Sequence, residues 1–86
     1  MDRGAIKTLV IQLIEDDIGE RFENLEDDKD LRKDLGLDSV DLVSVVSQIE
    51  RRFKIRLAQE ELEKLVTVKD VLDLLEVKFA DLKQAA

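Results

Sequence analysis

The sequence predicts an all-α fold: a small four-helix bundle, three main helices plus one short helix, with a long loop between helices one and two. Three observations carry the prediction. Apolar residues recur at the three- and four-residue spacing of a helix face in separate segments of the chain. The core has little but Leu, Ile and Val to draw on, because Phe22, Phe53 and Phe79 are the only aromatic residues. The one stretch that alternates like a strand has no partner strand elsewhere. At 86 residues the chain supports one small domain, residues 1–86.

Helix one is predicted from Ala5 to Asp17, where Ile6, Leu9, Val10, Leu13 and Ile14 form one apolar stripe. From Ile18 to Leu37 the periodicity fades among acids, with Gly19 and Gly36 as punctuation. Phe22, Leu25, Leu31 and Leu35 are left as anchors for this loop, and an unstructured loop of that length points to function. Helix two begins at Ser39, with Asp38 as its cap and Asp41 three residues on in the reciprocal position. Val43, Val46, Ile49 and Phe53 are assigned to its buried side. Phe53, Ile55 and Leu57 alternate with Lys54 and Arg56, but without a partner strand this reads as a helix end and connector. Glu60 to Leu65 forms the short third helix. Thr67 and Asp70 make a second capping box, which opens a helix with Val68, Val71, Leu72, Leu75 and Phe79 on one face. No proline and no internal repeat interrupts this plan.

Charge and missing residue types exclude several functions. The net charge is −7. Between Glu15 and Asp41 there are 12 acids and 4 bases, a local −8, whereas Leu42 to Ala86 holds 8 of each. Such a field repels phosphate backbones and anionic lipid, so nucleic acid and membrane insertion are not expected, and basic protein surfaces are the favoured partners. The plainer account is a loop kept solvated by its charge. Asp27, Asp28, Asp30 and Asp34 are close enough in sequence to repel one another and to gather divalent cations loosely. A built metal site is not expected: counted as a calcium loop from Asp28, Arg32 falls fifth, Lys33 falls where glycine is needed and Ser39 stands at the bidentate twelfth position. With neither cysteine nor histidine, thiol and imidazole catalysis are excluded. The start, MDRGAIKTLV, lacks a basic flank followed by an uninterrupted apolar run, and no stretch is long enough to span a bilayer. A soluble, monomeric protein of the cytoplasm is expected.

Ser39 then carries the chemistry. At the first position of a helix it lies beside unpaired amides and the positive end of the dipole, where a phosphate ester is electrostatically favoured. As a nucleophile it lacks a base, because no histidine exists and Lys33 sits protonated in an acidic loop. Capping or covalent attachment remains.

The stretch "DLGLDSVDLV", followed by "ERRFKIRL" and "EELEKLVTVKDVLDLL", resembles the acyl carrier protein family over most of the chain. The resemblance implies that Ser39, flanked by Asp38 and Val40, is esterified by 4′-phosphopantetheine, whose thiol carries an acyl group as a thioester. It also implies that the chain is not an enzyme. The implied partners are a phosphopantetheinyl transferase and acyl-transferring or elongating enzymes with basic docking surfaces. Asp34, Asp38, Asp41, Ser44, Arg51 and Arg52 form the implied partner surface. By the same resemblance the acyl tail lies between helices two, three and four, lined by Val43, Val46, Ile49, Leu57, Leu62, Leu65 and Val71, residues that ordinary core packing also explains.

Three departures from the family pattern stand out. Val40 replaces the usual leucine after the serine. Helix two presents Ser44, Ser47, Gln48, Arg51 and Arg52 where common fatty-acid carriers present acids and a methionine, and Lys54 and Arg56 extend the basic character. The usual proline between helices two and three is missing. The valine is a conservative change and the missing proline bears on local rigidity, whereas the helix-two difference suggests a specialised carrier for a modified fatty acid, a polyketide or an amino acid, within fatty-acid, lipid or polyketide-type biosynthesis. The alternative is an unmodified helical interaction module with a carrier-like fold.

Overall fold

The computed structural model describes residues 2–23 and 25–85, with side chains described through Ala80. Its helices are α1 (Arg3–Ile18), α2 (Ser39–Phe53), α3 (Gln59–Glu63) and α4 (Val68–Ala85). Among the described residues the only extended pairing is an isolated bridge between Asp30 and Thr67. The fold is therefore all-helical, and the Phe53–Leu57 segment is a connector.

α1 starts two residues before the predicted Ala5 because Asp2 caps it, its Oδ1 accepting from the Ala5 amide at 2.8 Å. It ends at Gly19, whose φ of 74° suits glycine and whose amide donates to the Glu15 carbonyl at 2.8 Å. Ile6, Val10 and Ile14 are its buried residues, and α1 packs against both α2 and α4. Leu72 and Leu75 of α4 are fully buried in the same core, each side chain contributing roughly 1.5–3 kcal/mol of transfer free energy. Phe53 and Phe79 meet edge to face with centroids 5.1 Å apart, joining the end of α2 to α4.

The long loop is held at several points. Leu31, Leu35 and Leu37 are buried, and the backbone is stitched to the start of α4. The Leu31 amide donates to the Val66 carbonyl at 2.8 Å, Val68 to Lys29 at 3.1 Å and Lys69 to Asp27 at 2.8 Å. The sequence counted Leu31 and Leu35 as anchors and left out Leu37.

The acidic cluster is also organised differently from the expected loose cation trap. Asp27 pairs with Lys7 at 2.7 Å and lies 3.8 Å from Arg3, which also holds Asp73 and Glu76 at 2.9 Å each. Asp30 accepts from the Arg32 and Lys33 amides, while Asp34 accepts from the Asp30 amide. Cations and amides of the chain itself thus engage Asp27, Asp30 and Asp34, three of the four carboxylates expected to repel one another.

The rotation of α2 differs from the sequence reading. Val45, Val46 and Ile49 are its buried residues, whereas Val43 is 62% exposed. Leu42, Val43, Val45, Val46 and Ile49 span more than one face at 100° per residue, so periodicity alone does not select the buried set. Ser44 and Gln48, expected to face partners, turn toward α1 instead. Ser44 Oγ donates to Asp17 Oδ1 at 2.6 Å, and Gln48 Nε2 donates to the same oxygen at 3.0 Å.

α3 covers Gln59–Glu63 rather than reaching Leu65. Its start is held by Glu61, whose carboxylate accepts from the Ala58 amide at 2.9 Å and pairs with Lys78 of α4 at 2.9 Å. The predicted box opening α4 is present: the Asp70 amide donates to Thr67 Oγ1, and Asp70 accepts from the Thr67 and Val66 amides.

Candidate functional site

The entry to α2 is built by alternating burial. Leu35 and Leu37 drop into the core on either side of Gly36, whose φ of 76° is the left-handed conformation that glycine adopts without a Cβ penalty. The Leu37 amide donates to the Leu31 carbonyl at 3.0 Å, and the chain then leaves the core extended through Asp38. Asp38 caps the helix as expected. Its Oδ1 accepts from the Asp41 amide at 2.8 Å, while Asp41 Oδ2 accepts from the Asp38 amide at 3.2 Å. Both carboxylates are thus turned to backbone.

Ser39 follows as the first residue of α2 and is exposed. The first intrahelical bond is that of the Leu42 amide to the Asp38 carbonyl at 2.9 Å, which leaves the Ser39 and Val40 amides ahead of the hydrogen-bonded ladder. Among the described residues no side chain hydrogen-bonds to the Ser39 hydroxyl. The arrangement offers an accessible hydroxyl at a positive helix end, without a base to make it a self-sufficient nucleophile.

Beside Ser39 runs an open groove of about 460 Å³, lined by Arg32, Ser39, Leu42, Val43, Val46, Leu57, Gln59, Leu62, Glu63 and Leu65. Its floor is aliphatic. Behind it lies a void of about 20 Å³, whose lining includes Ile49, Val71, Leu74 and Leu75, room for about one water. Leu42, Val46, Leu57 and Leu65 line both spaces and form the wall between them.

The seven residues expected around an acyl tail thus fall into two sets. Val43, Val46, Leu57, Leu62 and Leu65 reach the groove, whereas Ile49 and Val71 reach only the inner void. Of the expected partner residues, Asp34, Asp38, Arg51 and Arg52 are exposed, Asp41 is half-buried and Ser44 is engaged with α1. Lys54 and Arg56 are exposed beside Arg51 and Arg52, and none of the four is ion-paired among the described residues. Val40 and Val43, 76% and 62% exposed, put an apolar edge next to Ser39.

Sequence reasoning missed Arg32, Leu42, Gln59 and Glu63 as groove residues. Nothing local marks them, since Arg32 reaches the groove only through the fold of the preceding loop.

A family model described as a phosphopantetheine attachment site matches residues 8–75. The chain is 39% identical over 74 residues to an acyl carrier protein of Saccharopolyspora erythraea, covering 86% of this chain and 78% of that one. It is 34% identical over 76 residues to an acyl carrier protein of Coprothermobacter proteolyticus, covering 88% and 93%. The fold matches the crystal structure of an acyl carrier protein from Thermotoga maritima with a TM-score of 0.86 at 26% identity, covering 95% of each chain. The chain belongs to the acyl carrier protein family. It is a carrier that bears phosphopantetheine, not a catalyst.

Proposed function

We propose that Ser39 is the residue esterified by 4′-phosphopantetheine, and that the chain holds an acyl intermediate there as a thioester for fatty-acid, lipid or polyketide-type biosynthesis. One observation carries the assignment. Of the three serines, Ser39, Ser44 and Ser47, Ser39 alone stands ahead of a helix's hydrogen-bonded ladder and at the side of an apolar groove. The site suits the group: the hydroxyl is open to esterification, the amides of Ser39 and Val40 and the α2 dipole favour the phosphate's charge, and the groove is wide enough for a flexible chain. When bound, the arm supplies the thiol that the chain lacks.

The groove residues Val43, Val46, Leu57, Leu62 and Leu65 receive the start of the acyl tail. Ile49 and Val71 line the space it gains when Leu42, Val46, Leu57 and Leu65 separate. A void for one water does not accept an alkyl chain otherwise, and the contacts that the aliphatic side chains lose on parting are replaced by contacts with the alkyl chain itself. The groove is complete within one chain, in keeping with a monomer working as one carrier domain over residues 1–86. We place it in the cytoplasm; among the described residues no helix is long and apolar enough to cross a membrane.

Around Ser39, Asp34, Asp38 and Asp41 give the transferase and acyl-handling enzymes a negative surface to meet. Arg51 and Arg52 give the far end of α2 the opposite sign, which selects against enzymes that expect acids along the whole helix. Ser44 leaves this surface because it binds Asp17.

The assignment is tested by incubation with coenzyme A and several broad-specificity transferases. One arm is expected on the wild type and none on Ser39→Ala. A wild type that stays unmodified with all of them contradicts it. The selectivity is tested by replacing exposed Ser47, Arg51 and Arg52 with glutamate. The variant is expected to associate faster with a general fatty-acid elongating enzyme at low salt, and an unchanged rate contradicts the role of this face.

A further inference from the structure

Among the described residues Arg32 is the one cationic side chain that lines the groove with Ser39. Its place is fixed by the turn that carries it. The Arg32 and Lys33 amides donate to Asp30 Oδ1 at 2.8 and 2.9 Å, the Asp30 amide donates to Asp34 Oδ2 at 2.7 Å, and the Gly36 amide donates to the Arg32 carbonyl at 3.1 Å. Leu31 and Leu35, buried on either side, pin the same turn to the core. The backbone of Arg32 is therefore fixed within a hydrogen-bonded turn, while the residue is exposed and lines the same groove as Ser39.

The charge of Arg32 is uncommitted. Arg3, Lys7, Lys69 and Lys78 all form ion pairs, yet Arg32 forms none among the described residues, although its segment holds 12 acids to 4 bases. The neighbouring carboxylates of Asp30 and Asp34 are turned to backbone amides, and Asp38 and Asp41 to each other's. A surface arginine is often merely solvated. Here it stands in a fixed turn, on the wall of the groove that contains the proposed attachment point, with Asp30, Asp34, Asp38 and Asp41 engaged by backbone amides and Glu63 the acidic residue that shares the groove's described lining.

We infer that the Arg32 guanidinium holds the phosphodiester formed at Ser39, and that the arm consequently lies along the groove toward Gln59 instead of extending into solvent. The inference rests on the Ser39 assignment. A phosphodiester has one negative charge shared over two free oxygens, which the planar guanidinium fork matches with paired donors in a way that lysine does not. The open amides at the start of α2 face the same charge. Across the groove Gln59, the first residue of α3, offers both an amide donor and an acceptor, the complement of the amides in a pantetheine chain. Contact with the aliphatic floor then protects the arm from water until a partner draws it out.

The test is a thermodynamic cycle between the arm and Arg32. Wild type, Arg32→Ala and Arg32→Lys are prepared without and with the arm, loading is verified by intact mass, and melting temperatures and phosphorus NMR spectra are recorded. The arm is expected to raise the melting temperature of the wild type by about 2–5 °C more than that of Arg32→Ala, the size of one partly screened ion pair in a domain of this length. The phosphorus resonance should move in Arg32→Ala, and Arg32→Lys should fall between. Equal arm-dependent shifts in wild type and Arg32→Ala, with the same phosphorus resonance, overturn the inference. So does a loss of stability in Arg32→Ala that is the same with and without the arm, since that reports a purely structural role. A wild type that takes up no arm overturns the attachment itself and this inference with it, and intact mass tells that case apart.

Discussion

Ser44 Oγ donates to Asp17 Oδ1 at 2.6 Å, a polar clasp that joins the middle of α2 to the last turn of α1. Gln48 donates to the same carboxylate oxygen at 3.0 Å. A hydroxyl on a carboxylate is a charge-assisted bond, and this one is part-buried, so it orients the two helices as well as stabilising them.

The clasp predicts a graded response. Ser44→Ala should lower stability by about 1.5–3 kcal/mol, the usual range for a hydrogen bond to a charged group. Ser44→Glu should cost more, because it sets a second negative charge against Asp17. Denaturant unfolding measures both, and a glutamate variant as stable as the wild type would show that the clasp does not order the helices.

The cap of α2 gives a second prediction. Asp38→Ala removes the acceptor for the Asp41 amide while leaving the residue-38 amide that Asp41 accepts from, so half of the capping box is lost, and should cost about 0.5–2 kcal/mol. Asp38→Asn keeps a capping oxygen and should cost less. Fraying should begin at Ser39, so hydrogen exchange of the first-turn amides is the sensitive readout. An alanine variant with wild-type protection there would contradict the role given to Asp38.

Lys54 caps the other end of α2 at φ 57° and ψ 47°, the left-handed conformation in a residue with a Cβ. Lys54→Gly relieves that cost and should raise stability by roughly 0.5–1 kcal/mol after the added freedom of the unfolded chain is subtracted. A glycine variant less stable than the wild type would mean that the lysine side chain contributes more than its backbone costs.

Acid sensitivity follows from three carboxylates held below their ordinary values. For Asp30 the causes are the Lys33 and then the Arg32 amide. For Glu61 they are Lys78 and then the Ala58 amide, and for Asp73 they are Lys69 and then Arg3. A carboxylate whose value is lowered by folding contributes fully above its unfolded value, and the contribution is lost as pH falls through its lowered folded value. The window therefore opens below the ordinary values of 4.5 for Glu and 3.8 for Asp. Asp30→Ala should melt lower than the wild type at pH 7, and the gap should close as pH falls well below 3.8. A gap independent of pH would contradict the assignment.

How much of this the sequence disclosed depends on the type of signal. The starts of α2 and α4 are legible because Asp38 with Asp41, and Thr67 with Asp70, act across three residues. The rotation of α2 is not, since five aliphatic residues between Leu42 and Ile49 overfill one helical face, and Val43 was assigned inward while Val45 was missed. The Asp17 clasp, the Lys7 partner of Asp27 and the arrival of Arg32 at the groove link residues far apart in the chain or depend on the turn of a loop. A local pattern has no access to such contacts. Ser39 was legible as a helix start, but the groove beside it emerges only when α3 and the loop come together.

The most direct measurement of the central claim is the intact mass of the protein purified from its native source, followed by fragmentation to locate any added group. The proposed carrier predicts a mass increased by one phosphopantetheine arm, with or without an acyl group, and localisation to Ser39. An entirely unmodified population would contradict it and favour a helical interaction module, and an arm located on Ser44 or Ser47 would contradict the site.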